Sequence, residues 1–86
     1  MVGGRMEYFL DKLSRYQSRL EDVNENLMIE IYWGSNDGCF KCAISKWNAK
    51  NKYYVPRVAG ETIEELLEWL DDTLKSDYGR KYLTNL

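Results

Sequence analysis

Two cysteines separated by two residues have the spacing in this sequence that most suggests a chemical site. The Cys39 and Cys42 thiols could supply two zinc thiolates or a dithiol redox pair. Zinc takes four ligands, and the chain has no further cysteine and no histidine, so a metal site would need two chains. On a strand, residues three apart point to opposite faces. We therefore predict one buried and one exposed structural thiol, with an intersubunit metal or disulfide site and a redox pair as alternatives.

Carboxylates are the next candidates for chemistry. Without histidine, the chain lacks the commonest general base and the usual serine and cysteine triads. The acidic residues of one short stretch are Glu61, Glu64, Glu65, Glu68, Asp71 and Asp72. Their spacing places most of them on the outward side of a helix, where solvated charge is the ordinary interpretation. The glycine-rich segments, Gly3-Gly4 and Gly34 to Gly38, lack the strand-to-helix context of a phosphate-binding loop. We therefore expect no enzymatic activity, no cofactor, no bound metal and no small-molecule substrate.

The charge is distributed unevenly along the chain, although the formal net charge is only −2. Residues 39–59 contain five basic residues and no acidic one, whereas residues 61–77 contain seven acidic residues and one lysine. The small net charge argues against a general nucleic-acid binder. Aromatic side chains among the basic residues could still stack bases, which makes single-stranded nucleic-acid binding an alternative function. The residues that would bind the nucleic acid are Lys41, Lys46, Lys50 and Lys52.

Hydrophobic periodicity predicts the elements that position these side chains. Apolar residues at steps of three and four predict an amphipathic helix over 6–23, and residues 63–74 repeat that pattern after a capping box at Thr62 and Glu65. Alternation of apolar and polar residues predicts three strands, with turn-forming residues between them. Pro56 lacks an amide donor and therefore favours an edge strand. The predicted strands span residues 27–33, 39–47 and 53–59.

This order of elements predicts an α+β fold with two layers, α-β-β-β-α, in a single domain over residues 1–86. A three-stranded antiparallel meander is about 14 Å wide, and two helices packed at 8 to 10 Å cover about that width. Both helices should therefore lie on one face of the meander. Residues 80–86 have the apolar spacing of a short C-terminal helix, and we expect residues 1–5 to form a flexible leader.

Alternation within the strands assigns side chains to the two faces of the sheet. The set expected to join the core comprises Leu27, Ile29, Ile31, Phe40, Cys42 and Ile44. The set expected on the uncovered face comprises Tyr32, Lys41, Trp47 and one of Tyr53 and Tyr54. Exposed aromatic residues with mixed charge have the composition of a protein-binding hot spot.

The sequence contains no segment that predicts a membrane location. The longest apolar run, over residues 27–33, is interrupted by Glu30 and is far shorter than the about 20 residues of a membrane span. The first residues lack the apolar stretch of a signal peptide. We therefore expect a cytoplasmic protein with reduced thiols.

Two families resemble this chain over part of its length. The order helix, three strands, helix resembles that of double-stranded-RNA-binding domains, but their lysine-rich entry to the last helix is replaced here by an acidic one over residues 60–65, which would repel phosphate. The stretch 27–74 is similar to the compact domain of HicB-like antitoxins, without that family's usual Pro-Gly segment before the helix, and implies an antitoxin-type domain as an alternative. Small anti-CRISPR inhibitors are similar in shape.

These observations favour a non-catalytic module that binds a protein partner or a second copy of itself, such as a small phage or mobile-element regulator or inhibitor. Two surfaces compete for that role. The acidic helix could meet a basic groove, and the uncovered sheet face could bury aromatic side chains against a partner. The candidate residues on the helix are Glu61, Glu64, Glu65, Glu68, Asp71 and Asp72, and those on the sheet are Tyr32, Trp47, Tyr53 and Arg57.

Overall fold

The predicted α+β order is confirmed in a computed structural model that describes residues 2–86, with side chains from Glu7 onward. The first helix begins four residues earlier than predicted. Met1 lies outside the described residues, and the flexible leader over 1–5 stays a prediction. The elements are α1 (Val2–Val23), β1 (Leu27–Gly34), β2 (Cys39–Asn48), β3 (Tyr53–Gly60), α2 (Ile63–Leu74) and α3 (Asp77–Thr84).

The three strands form one antiparallel sheet in the order β1-β2-β3. In the first turn, Gly38 adopts a φ of +64° and donates a backbone hydrogen bond of 2.8 Å to the Gly34 carbonyl. In the second turn, the Asn48 side chain accepts hydrogen bonds from the backbone N–H groups of Lys50 and Asn51. These local hydrogen bonds fix both hairpin registers, because the turn determines which residues face each other.

The helices all lie on one face of this sheet, as the width argument predicts. Helix α1 packs along β1, α2 packs across β2 and β3, and α3 packs against both helices. The buried apolar residues that join the layers are Leu20, Leu27, Cys42, Ile44, Leu66, Leu70, Leu74 and Leu83. The described helices include none that is long and apolar enough to cross a membrane.

Both C-terminal helices begin at side-chain caps. The Thr62 hydroxyl accepts a hydrogen bond from the Glu65 N–H at 3.1 Å, so the predicted cap of α2 is confirmed. The Ser76 hydroxyl accepts one from the Gly79 N–H at 2.9 Å. Helix α3 therefore begins at Asp77, three residues before the predicted start at residue 80. Gly79 lies within α3 and does not end a helix. Glycine is needed at this position, because a side chain here would overlap the Thr73 carbonyl of α2.

The predicted core is wrong at two positions. Ile31 is 46% exposed and Phe40 is 71% exposed, although both lie on the helix side of the sheet. The last residue pair between β2 and β3 is Cys42 with Gly60, so the β1–β2 hairpin extends beyond β3. Helix α2 is about 18 Å long, whereas the ten residues of β2 span about 33 Å. Helix α2 is therefore too short to cover the hairpin end.

Candidate functional site

The uncovered end of the β1–β2 hairpin carries a cluster of apolar side chains. Trp33 and Phe40 are cross-strand partners, and their rings meet edge to face at 5.1 Å between centroids. Trp33 is 56% exposed and is joined on the same face by Ile31. We call Ile31, Trp33 and Phe40 the tip cluster. Contiguous exposed apolar side chains of this kind are typical of interaction surfaces.

A groove runs from this cluster along β1, between the strand and α1. It has a volume of about 380 Å³ and includes Leu10 and Leu13 of α1 and Ile29 and Ile31 of β1 in its lining. Leu10 is 55% exposed, so apolar surface on the helix continues the apolar surface of the tip cluster. Its lining also includes Gln17 of α1 and Leu27 of β1.

The Gln17 side chain occupies part of the outer edge of β1. Its Nε2 donates a hydrogen bond of 3.1 Å to the Leu27 carbonyl, and its Oε1 accepts one of 2.8 Å from the Ile29 N–H. The amide thus makes the two hydrogen bonds that a neighbouring strand would make at this point. The same Nε2 also donates to Glu21 at 2.9 Å, which holds the amide in place along α1.

The rest of the β1 edge has no such partner. The backbone N–H and C=O groups of successive strand residues point to alternate edges of the strand. Those of Ile31 and Trp33 therefore point away from β2, as those of Leu27 and Ile29 do. From Glu7 to Leu86, no side chain bonds to the backbone N–H or C=O of either residue. Four strand-pairing groups therefore lie free beside the tip cluster.

The opposite edge of the sheet is closed to pairing. Pro56 lies on β3, an edge strand as predicted, and has no N–H to offer. The register shifts between Ile44 and Ser45, so β3 carries a bulge beside Pro56 and Arg57. Proline, a bulge and a basic residue are the devices by which sheet edges avoid pairing with other chains.

The aromatic residues predicted on the uncovered face do not form one patch. Trp47 and Tyr54 are cross-strand partners with ring centroids 5.1 Å apart. Tyr32 lies on the same face near the hairpin end, about 20 Å along the strands from Trp47. Tyr53 pairs with Asn48 and belongs to the helix side. Arg57 lies at the β3 bulge, apart from all of them.

Between these aromatic residues, the centre of the face is closed. Ala43 and Ser45 have no exposed surface, and the Ser45 hydroxyl donates a hydrogen bond of 2.9 Å to the Glu30 carboxylate. Small, covered residues at the centre leave the face without a continuous aromatic surface.

Helix α2 presents most of the predicted carboxylates to solvent. Four on the helix are exposed, namely Glu64, Glu65, Glu68 and Asp72, and so is Glu61, two residues before the helix begins. Asp71 instead joins α1 to α2, because its oxygens lie 2.8 Å from Lys75 Nζ and 3.0 Å from Arg19 Nη1. Hydrogen bonds from Lys75 and then from Arg19 hold the pKa of Asp71 below its ordinary value.

The four lysines considered for nucleic-acid binding lie in three separate places. Lys41 pairs with Asp37 at the first turn, and the hydrogen bond that its ammonium group donates to that carboxylate raises the pKa of the lysine. Lys46 lies on the helix side and donates a hydrogen bond to the Leu86 carbonyl. Lys50 and Lys52 lie at the second turn, at the far end of the sheet.

The two thiols are placed as predicted, with Cys39 exposed and Cys42 buried. The Cys42 thiol donates a hydrogen bond of 3.4 Å to the Gly60 carbonyl, and burial raises its pKa. Within the described part of the chain, no group of three or more acidic, cysteine or histidine side chains could hold a metal ion.

Comparisons with known proteins add no relative. No protein-family model, no curated protein and no solved structure matches this chain.

Sequence reasoning missed the groove and the tip cluster. Alternation predicted correctly which face Ile31 and Phe40 occupy, but not how far the helices cover that face. The difference between a 12-residue helix and a ten-residue strand could have shown the shortfall in advance, because a strand residue spans about twice the length of a helix residue.

Proposed function

We propose that this chain is a non-catalytic protein-binding module whose docking surface is the tip cluster together with the free half of the β1 edge. The observation that carries the proposal is their combination at one place. The tip cluster offers apolar area, and the adjoining backbone offers hydrogen bonds in a fixed direction. Partners that add a strand to a sheet edge use both, since the main chain gives affinity and alternate side chains give specificity.

Paired capture experiments test this function. Immobilised wild-type protein and the double variant Trp33→Ala, Phe40→Ala are exposed to the same host lysate, and bound proteins are quantified. Both side chains lie outside the buried core, so the variant should keep its helical circular dichroism. We expect at least a tenfold loss of a specific partner, because central aromatic residues dominate the binding energy of such surfaces.

Tyr78→Ala is the matched control. Tyr78 is 84% exposed on α3, so the variant removes an exposed aromatic side chain outside the tip cluster and groove. We call the double variant Trp33→Ala, Phe40→Ala the tip variant. If it recovers as much of the partner as the wild type does, the proposed function is overturned.

The exposed carboxylates of α2 support a second surface, suited to a partner with a basic groove and to a regulator or inhibitor role. Glu64, Glu65, Glu68 and Asp72 are free of the two ion pairs that engage Asp71. Glu64→Lys with Glu68→Lys should then remove a partner that the tip variant keeps, and that binding should weaken as salt increases. Binding that is unchanged by the charge reversal would exclude this surface.

A further inference from the structure

We propose that a second copy of this chain docks on the free half of the β1 edge, so that two β1 strands pair antiparallel about a two-fold axis at Tyr32. The inference rests on the proposed function, because it names the partner that the tip cluster and the edge recognise. The resulting contact would join two three-stranded sheets into one sheet of six strands.

The free backbone groups select this register. With Tyr32 opposite Tyr32 of the partner subunit, Ile31 lies opposite Trp33 of the partner subunit and both residues exchange two hydrogen bonds. The two-fold axis repeats the pair, so all four free groups of each copy are used. A register centred on Ile31 would instead require the Ile29 N–H, which already donates to Gln17.

Side chains are compatible with the same register. Ile31 and Trp33 lie on the helix side, so each apolar side chain meets its counterpart beside the groove. Glu30, the acidic residue of β1, would face Gly34 of the partner subunit, so no like charges oppose each other. This self-complementarity is what an isologous two-fold contact requires.

The available area suggests a reversible dimer. Leu10 and the three residues of the tip cluster are between 46% and 71% exposed, which leaves roughly 400 Å² of side-chain surface in each copy. A standard interface buries about 800 Å² per partner. The side chains therefore supply about half of that area, and the backbone edge and Tyr32 add to it. Because this interface is smaller than the standard one, we expect a dissociation constant of the dimer in the micromolar range.

Disulfide trapping tests the register. In the proposed dimer the two Tyr32 Cα atoms form a non-hydrogen-bonded pair about 4.5 Å apart, which lies within the range of about 4.4 to 6.8 Å for disulfides. Tyr32→Cys is therefore combined with Cys39→Ser, which removes the exposed native thiol. The matched control is Glu30→Cys with Cys39→Ser, in which the two thiols would lie about 13 Å apart along the strands.

Mild oxidation should give covalent dimers of the Tyr32→Cys protein at least tenfold faster than of the control. Equal rates, or a faster control, would overturn the register. Sedimentation of the wild-type chain as a monomer up to about 1 mM would overturn the dimer itself. If the capture experiment still showed a partner lost with the tip variant, the proposed function would stand, with a foreign strand as the occupant.

Discussion

The two outer edges of the sheet are built in opposite ways. The β3 edge has Pro56, a bulge and Arg57, whereas the β1 edge is straight and apolar beside α1. Among the side chains from Glu7 to Leu86, only the amide of Gln17 covers the β1 edge, and it covers half of it. Unprotected edges promote association between chains, and proteins usually block them. The contrast is what the proposed docking on the free half of β1 requires.

A proline on the β1 edge, like the one on β3, should have the largest effect, and that effect is on dimerisation. Ile31→Pro removes one of the free N–H groups, as Pro56 does on β3, without breaking a hydrogen bond to β2. We expect the dissociation constant of the dimer to increase at least 100-fold, measured by sedimentation equilibrium. Ile31→Val is the control, because it keeps the N–H and loses one methylene group. Equal dimerisation of the two variants would show that the edge is not used.

Removing the Gln17 cap should have the next largest effect, on folding stability. Gln17→Ala leaves the half-buried Leu27 carbonyl and Ile29 N–H without their side-chain partner. Two lost hydrogen bonds should lower the free energy of unfolding by about 2 kcal/mol, measured by urea denaturation. Ser18→Ala, on an exposed position of the same helix, should change it little. Similar losses in both variants would assign the effect to α1 in general.

Opening the β3 edge should have a smaller effect. Pro56→Val restores an N–H at an outward position and favours strand geometry. We expect faster aggregation on heating, measured by light scattering, with a change in unfolding free energy of no more than about 1 kcal/mol. Val55→Thr, next to it on the strand, is the control. If Pro56→Val aggregates no faster than this control, the proline is not what protects the edge.

Low pH should have the smallest effect, by weakening the ion pair that joins α1 to α2. The pKa of Asp71 is lower in the folded chain than in the unfolded one, so its contribution to stability is present above about pH 4 and is lost as the pH falls below that. Urea midpoints between pH 2.5 and about 6 should therefore decline less steeply for Asp71→Asn than for the wild type. Asp72→Asn, which lies outside the Arg19–Asp71–Lys75 contacts, should follow the wild-type profile.

Most of the fold could be predicted because it depends on local patterns. The alternation over 27–33 predicted β1 and which of its side chains lie on the helix side, and the Thr62–Glu65 pair predicted the start of α2. Gln17 could not be predicted as an edge cap, because a glutamine on an amphipathic helix has no periodicity that distinguishes it from solvated neighbours. The exposure of Phe40 was missed because it depends on where a different element ends, at Gly60.

The β1–β2 hairpin extends past Gly60, and this overhang separates residues that are selected for folding stability from residues that can be selected for binding. Trp33 and Phe40 lie beyond the last pair of β2 with β3 and outside the first turn, so substitutions of these two residues leave the packing of Leu70 and Ile44 untouched. Most substitutions in a core reduce stability, and that cost limits how quickly a binding site can change. Under the proposed function, Trp33 and Phe40 are therefore the positions at which partner preference changes with little penalty to folding.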